Sequence, residues 1–180
     1  MLTTQITNNS HPFYENIYRL YHSSFPVEER RDWVDIELIL NTDKRFNMFV
    51  FSSENEFNGF LTFWDFENFV YVEHFAVSDS IRGLGIGSQI IKSFRDEQKS
   101  PIVLEVELPE TPVAVRRIAF YEKLGFKVIS KPYLQPPYDG KSDFLPLILM
   151  TNDYYFGNEN FDDIRNTLYK EVYKTQESPK

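Results

Sequence analysis

The sequence predicts a mixed α/β (α+β) fold, built on a mostly antiparallel sheet with helices on both faces. Two observations carry this prediction. Three apolar-aromatic runs, residues 46–51, 59–66 and 70–77, are separated by short polar turns, which is the pattern of an antiparallel meander. Beyond Ser78 the apolar residues switch to helical spacing, and helix and strand signals then alternate as far as Met150.

The elements follow in order. Ser10 and Pro12 mark a helix start, because proline is tolerated where the helix needs no donor. Phe13, Ile17, Leu20 and Tyr21 then fall at helical spacing, and Pro26 ends the element. A second short helix is expected over 32–40, with Trp33, Ile36 and Leu40 on one face. The meander comes next, with turns at 52–55 and 65–68. After a loop at 78–83, Ile86, Ile90, Ile91 and Phe94 mark a third helix. Residues 102–106 read as a buried strand and 113–124 as a helix, with Gly125 as its C-cap and 126–129 as a strand. Residues 131–143, with Pro132, Pro136, Pro137 and Gly140, read as a loop. Residues 144–150 form the last strand, where Pro146 argues for an edge position or a bulge. Phe161, Ile164, Leu168 and Val172 predict a terminal helix over about 159–175 that packs back on one domain spanning 1–180, with fraying from Gln176.

Bulk composition excludes several classes of function. The chain has no cysteine, so it has no disulfide, no thiolate metal site and no cysteine nucleophile. That fits a cytoplasmic protein. No apolar run approaches the ~20 residues of a membrane helix, and Thr3, Thr4, Asn8, Asn9 and Ser10 interrupt any signal-peptide core. The net charge of −8 and the absence of a basic run argue against nucleic acid as partner. It suits a cationic acceptor such as an amine. The three histidines, His11, His22 and His74, have no ligand spacing, so no metal is expected.

The sharpest local feature is Arg82-Gly83-Leu84-Gly85-Ile86-Gly87-Ser88, set between a strand and a helix. Glycines there allow a tight turn that converges several N–H groups. The helix N-terminus adds unsatisfied donors and a partial positive charge, and together these suit a phosphate or pyrophosphate. A ligand-free glycine turn is the plain alternative. A P-loop is excluded, because no lysine follows Gly87. A dinucleotide fold has Glu105 near its expected acidic position, but three meander strands precede the turn and too little chain follows it.

Two further blocks accompany this turn. One is the strand Val72-Glu73-His74-Phe75-Ala76-Val77. The other is Ile118-Ala119-Phe120-Tyr121-Glu122-Lys123-Leu124-Gly125-Phe126. In order and spacing, over residues 70–130, the three blocks resemble those of the GNAT superfamily of acyl-coenzyme A-dependent N-acetyltransferases. The resemblance implies a sheet splayed between strands four and five, with acetyl-coenzyme A as co-substrate in the splay. It implies that Arg82, Gly83, Leu84, Gly85, Ile86, Gly87 and Ser88 hold the pyrophosphate. Phe75, Ala76 and Val77 would pair with the pantetheine arm, and one of their N–H groups would polarise the acetyl carbonyl. Many members carry Asn where this chain has Ala114 and a small residue where it has Arg117. Arg116 or Arg117 then either meets a phosphate or is a solvated helix arginine.

Transfer from a thioester to an amine moves two protons. The resemblance places Tyr121 beside the sulfur as the acid, and its phenol, near pKa ~10, suits a departing thiolate. The alternative is a core aromatic. Glu73 matches a strand-four glutamate that serves as base in several members; it is otherwise a structural carboxylate. Strand alternation puts Glu73 opposite His74, which reads as a satisfied sheet histidine. The resemblance implies that Glu28, Glu29 and Arg30 lie on the acceptor side, with a solvated loop as the alternative, and the aromatic-proline segment 133–138 is a second candidate to wall that cleft. The acceptor is either a small molecule or a peptide amine. A homodimer is left open, as is a non-catalytic acyl-coenzyme A sensor on the same scaffold.

Overall fold

The computed structural model describes residues 1–175, and the fraying expected from Gln176 lies outside them. The chain divides into two compact units, one of Met1–Ser100 and one from Pro101 onward. Each is built of antiparallel strands and helices, the mixed class that the sequence predicts.

In the first unit, strands β1 (Leu2–Gln5), β2 (Phe46–Ser53), β3 (Glu56–Asp65) and β4 (Val70–Val77) pair in that order, all antiparallel. Helix α1 (Tyr14–Ser24) buries Ile17, Leu20 and Tyr21, and the Tyr21 ring lies 6.2 Å from that of Phe60. Helix α2 (Trp33–Thr42) buries Ile36. Helix α3 (Ile86–Glu97) buries Ile90, Ile91 and Phe94, and the Phe94 ring meets Phe63 at 5.0 Å. Phe60 and Phe63 lie on opposite faces of β3, so this sheet carries helices on both faces. Strand β1 was not legible in the sequence. Its residues are largely exposed and show no apolar alternation, and the main chain of β2 recruits it.

In the second unit, β8 (Leu145–Thr151) is the hub. It pairs antiparallel with β5 (Ile102–Glu107), β6 (Lys127–Val128) and β7 (Tyr133–Gln135). One expectation is corrected here: the loop read over 131–143 contains β7. Strand β8 is paired on both sides, but at Pro146 its β5 side is open, which is the edge position that the proline implies. Pro146 is tolerated because pairing with β5 stops at Leu147, so its missing donor falls beyond the end of that ladder. Helix α4 (Pro112–Lys123) starts at Thr111, whose Oγ1 accepts from Ala114 N at 3.1 Å, and Pro112 occupies the first turn.

The terminal helical stretch is split. Helix α5 (Tyr154–Glu159) is capped by the Asp153 carboxylate, and α6 (Phe161–Thr167) runs into a π-helical turn at Leu168–Val172. The predicted apolar stripe of Phe161, Ile164, Leu168 and Val172 is buried. Among the described residues no helix is long and apolar enough to cross a membrane.

Candidate active site

The glycine turn has the conformation that its composition suggests. After β4 the chain makes a 3-10 turn at Asp79–Ile81. Gly83 and Gly85 then adopt φ of 82° and 79°, the left-handed region that costs other residues about 1–2 kcal/mol. A Cβ on either would meet nothing within 4 Å, so glycine is required for its backbone and not for room. Gly85 caps α3, and the first intrahelical bond is from Gln89 N to Gly85 O at 3.1 Å. The N–H groups of Ile86, Gly87 and Ser88 therefore have no acceptor within the helix. The first turn of α3 holds no carboxylate to occupy them. Arg82 stands beside this cradle in an exposed pair with Asp79 at 2.8 Å, which water and salt weaken. Donors, dipole and a nearby guanidinium fit a pyrophosphate.

Strand β4 leads into this turn. Ser78 N bonds to Asn58 O at 2.8 Å, and the register continues as Ala76↔Phe60 and His74↔Thr62. In an antiparallel pair the residues between such positions turn their amides outward. The N–H and C=O groups of Phe75 and Val77 thus point away from β3, whereas Ala76, which is buried, spends its own on β3.

The register slips between Thr62 and Phe63: Phe63 pairs with Val72, and Thr62 with His74. Glu73 is the extra residue of a β-bulge. The expected alternation is thereby overturned, because Glu73 and His74 both bond to the face of β3 that carries Thr62 and Trp64. Glu73 Oε2 accepts from Trp64 Nε1 at 2.7 Å, and Oε1 accepts from Arg31 Nε at 2.8 Å. The Glu73 side chain has 0% exposure although the residue as a whole is half-buried, so what reaches solvent is its main chain. Burial alone would raise its pKa, but the Arg31 charge and the donated hydrogen bonds outweigh this and hold it below the ordinary value. A carboxylate engaged at both oxygens and short of proton affinity is poorly placed to take a proton. Arg31 and Trp64, its partners, were not singled out from the sequence. Nothing in their spacing marks them, since only the bulge brings them to Glu73.

His74 is 2% exposed. Its Nε2 lies 3.3 Å from Glu29 O and its Nδ1 3.3 Å from Thr62 Oγ1. A carbonyl only accepts, so Nε2 carries the proton and Nδ1 accepts from the hydroxyl. Burial pushes its pKa down to about 4, against the pull of Glu73, so the ring is neutral at neutral pH. It is the satisfied sheet histidine that its pattern suggested. Of the acidic-basic run 28–30, Glu29 thus gives its carbonyl to His74. The Arg30 Nε is buried and has no partner among the described residues.

In the second unit, Tyr121 lies on the buried side of α4, 7% exposed and ringed by Phe120 and Phe126. Its hydroxyl has no hydrogen-bond partner among the described residues. Burial pushes its pKa up to about 12; Arg117 works against this and Glu107 adds to it. Arg117, one turn earlier on α4, sits against the Glu107 carboxylate and is half-exposed, so it is not simply solvated. Ala114 is buried at 2% exposure.

Comparison with known proteins identifies the family. Residues 44–128 match a family model described as the acetyltransferase (GNAT) domain. A solved structure from Bacteroides thetaiotaomicron, titled as a candidate acetyltransferase of the GNAT family, is 35% identical. The match covers 98% of this chain and 100% of that one, with a TM-score of 0.92. The candidate acetyltransferase YjbC of Bacillus subtilis is 28% identical over 114 residues, which is 62% of this chain and 57% of that protein. A GNAT family acetyltransferase from Elizabethkingia anophelis, solved with acetyl-coenzyme A bound, shares the fold at 15% identity. Its TM-score is 0.56, over 83% of this chain and 95% of that one.

Proposed function

The chain belongs to the GNAT acetyltransferase family, and from that premise we propose that it moves an acetyl group from acetyl-coenzyme A to a primary amine by direct transfer. The observation that carries the proposal is the glycine turn: two left-handed glycines leading into a helix whose first N–H groups have no internal acceptor. Gly83 to Ser88, with Arg82 beside them, would take the pyrophosphate. The outward amides of Phe75 and Val77 would pair with the pantetheine arm, with Ala76 between them. Bound there, the co-substrate supplies a thioester carbonyl as electrophile.

The amine nitrogen forms the new C–N bond as the C–S bond breaks. The nitrogen loses one proton and the sulfur gains one. Tyr121 is the donor to sulfur in this reading, supported by its motif and by a phenol that stays protonated at neutral pH. Glu73 enters as the anchor of the β4 bulge. The amine proton leaves through water, or the amine reacts as its own free-base fraction. The single domain expected over 1–180 and a cytoplasmic location belong to the same proposal.

Titration calorimetry with acetyl-coenzyme A, with NADH as control, followed by transfer assays on an amine panel, tests it. Saturable binding of acetyl-coenzyme A alone and turnover with an amine are expected. Binding without turnover on any amine would replace the enzyme with a sensor, and no binding would sink the reading.

A further inference from the structure

A second polar cluster, which the transfer chemistry above does not use, lies wholly within the second unit. Glu105 on β5 receives two phenols: Tyr133 donates to Oε1 at 2.5 Å and Tyr173 to Oε2 at 2.7 Å. Tyr133 is 3% exposed and Tyr173 6%. The π-helical turn at Leu168–Val172 sets up this arrangement. Tyr173 follows it directly, and Tyr169 within it donates to Leu134 O at 2.5 Å, which ties the turn to β7. Such turns occur mostly as single insertions in α-helices, frequently at functional sites.

Gln135 completes the cluster. It is 3% exposed, and its Nε2 is buried without a hydrogen-bond partner among the described residues. Alternation on β7 puts Tyr133 and Gln135 on one face. They pair with Leu147 and Leu145 of β8, and β8 in turn pairs Leu147 with Glu107 and Leu149 with Glu105. The carboxylate, both phenols and the orphaned amide therefore share one face of this sheet. A buried amide donor left without an acceptor destabilises the fold, and a ligand oxygen would satisfy it. A carboxylate ringed by tyrosines suits an ammonium group, which gains from both the charge and the aromatic faces.

We propose that Glu105 and Gln135 bind the acceptor: a primary ammonium compound that also carries a carbonyl oxygen. The ammonium sits against Glu105 among the tyrosine rings, and the carbonyl accepts from Gln135 Nε2. This rests on the reading that the acceptor is an amine, and it names the acceptor's second functional group.

The test uses nitrogen-15 NMR of the full chain, with glycinamide and propylamine as probes of similar size with and without a carbonyl. Glycinamide is expected to shift the Gln135 side-chain amide signals saturably and to bind about tenfold or more tighter than propylamine, the ratio for 1.4 kcal/mol. Gln135→Met should erase that preference, and Glu105→Gln should weaken both amines. If Glu105→Gln does not fold, Gln135→Met alone decides. Unmoved Gln135 signals, equal affinity for the two amines, or a preference that survives in Gln135→Met overturns the proposal. Adding acetyl-coenzyme A separately and watching the Gly85 and Gly87 amides keeps the two readings apart. If those amides stay still while glycinamide binds, the transferase reading falls and the acceptor role falls with it, while the ammonium-binding site at Glu105 and Gln135 stands.

Discussion

Replacing Arg31 with leucine isolates the electrostatics at the strand bulge. The Arg31 and Glu73 side chains are 8% and 0% exposed and meet at 2.8 Å. Removing the guanidinium leaves a buried carboxylate that has lost its charge partner and keeps the hydrogen bond from Trp64 Nε1–H. Breaking a buried pair from one side costs about 3–5 kcal/mol, against 0–1 kcal/mol for a surface pair. The loss depends on pH in a defined direction. In the native protein Glu73 titrates below its ordinary value, so its contribution is present above the unfolded carboxylate pKa and is lost as pH falls through the folded one. Without Arg31, burial dominates and pushes the Glu73 pKa up, so the carboxyl protonates more readily as pH falls and the deficit shrinks. Urea unfolding at pH 7 and pH 4 measures both values. The double variant Arg31→Leu/Glu73→Gln keeps an acceptor for Trp64 but removes the charge, and should recover about 2 kcal/mol or more at pH 7. A single-variant loss below about 1 kcal/mol, or an equal loss at both pH values, would refute the reasoning.

Other outcomes follow from the same geometry. The double variant should also keep its acetyl transfer rate within about a hundredfold of wild type; a larger loss would be that of a general base and would return the role to Glu73. Tyr121→Phe should lower kcat by about a hundredfold or more and leave acetyl-coenzyme A affinity by calorimetry unchanged, and an unaltered kcat removes Tyr121 as the acid. Gly85→Ala should cost about 1 kcal/mol in urea unfolding and weaken acetyl-coenzyme A binding, and wild-type affinity in the folded variant would empty the turn of its ligand. His74 is neutral in the fold down to about pH 4 but protonates near 6.5 when unfolded, so stability should fall by about 3 kcal/mol as pH drops between those values. His74→Asn should flatten that part of the profile, and an identical profile would show that His74 titrates normally.

Features that obey local rules are legible in the residues alone. Glycine spacing fixed the turn before α3, because only glycine enters the left-handed region without penalty. Apolar periodicity located the meander, and the burial of Ile90, Ile91 and Phe94 on α3 and of Phe161, Ile164, Leu168 and Val172 near the end follows from it. Tertiary structure decided whatever depends on distant pairing. Strand β1 has no apolar alternation and exists because β2 offers it an edge. Strand β7 hides in a proline-rich stretch and exists because β8 pairs with it. The side to which Glu73 points was misread because one bulge residue breaks the period of two on which strand reading depends. The partners of Glu73 and Glu105 lie 42 and 68 residues away at Arg31 and Tyr173. No local pattern encodes such a separation, so the chemistry of both carboxylates was set only when the chain folded.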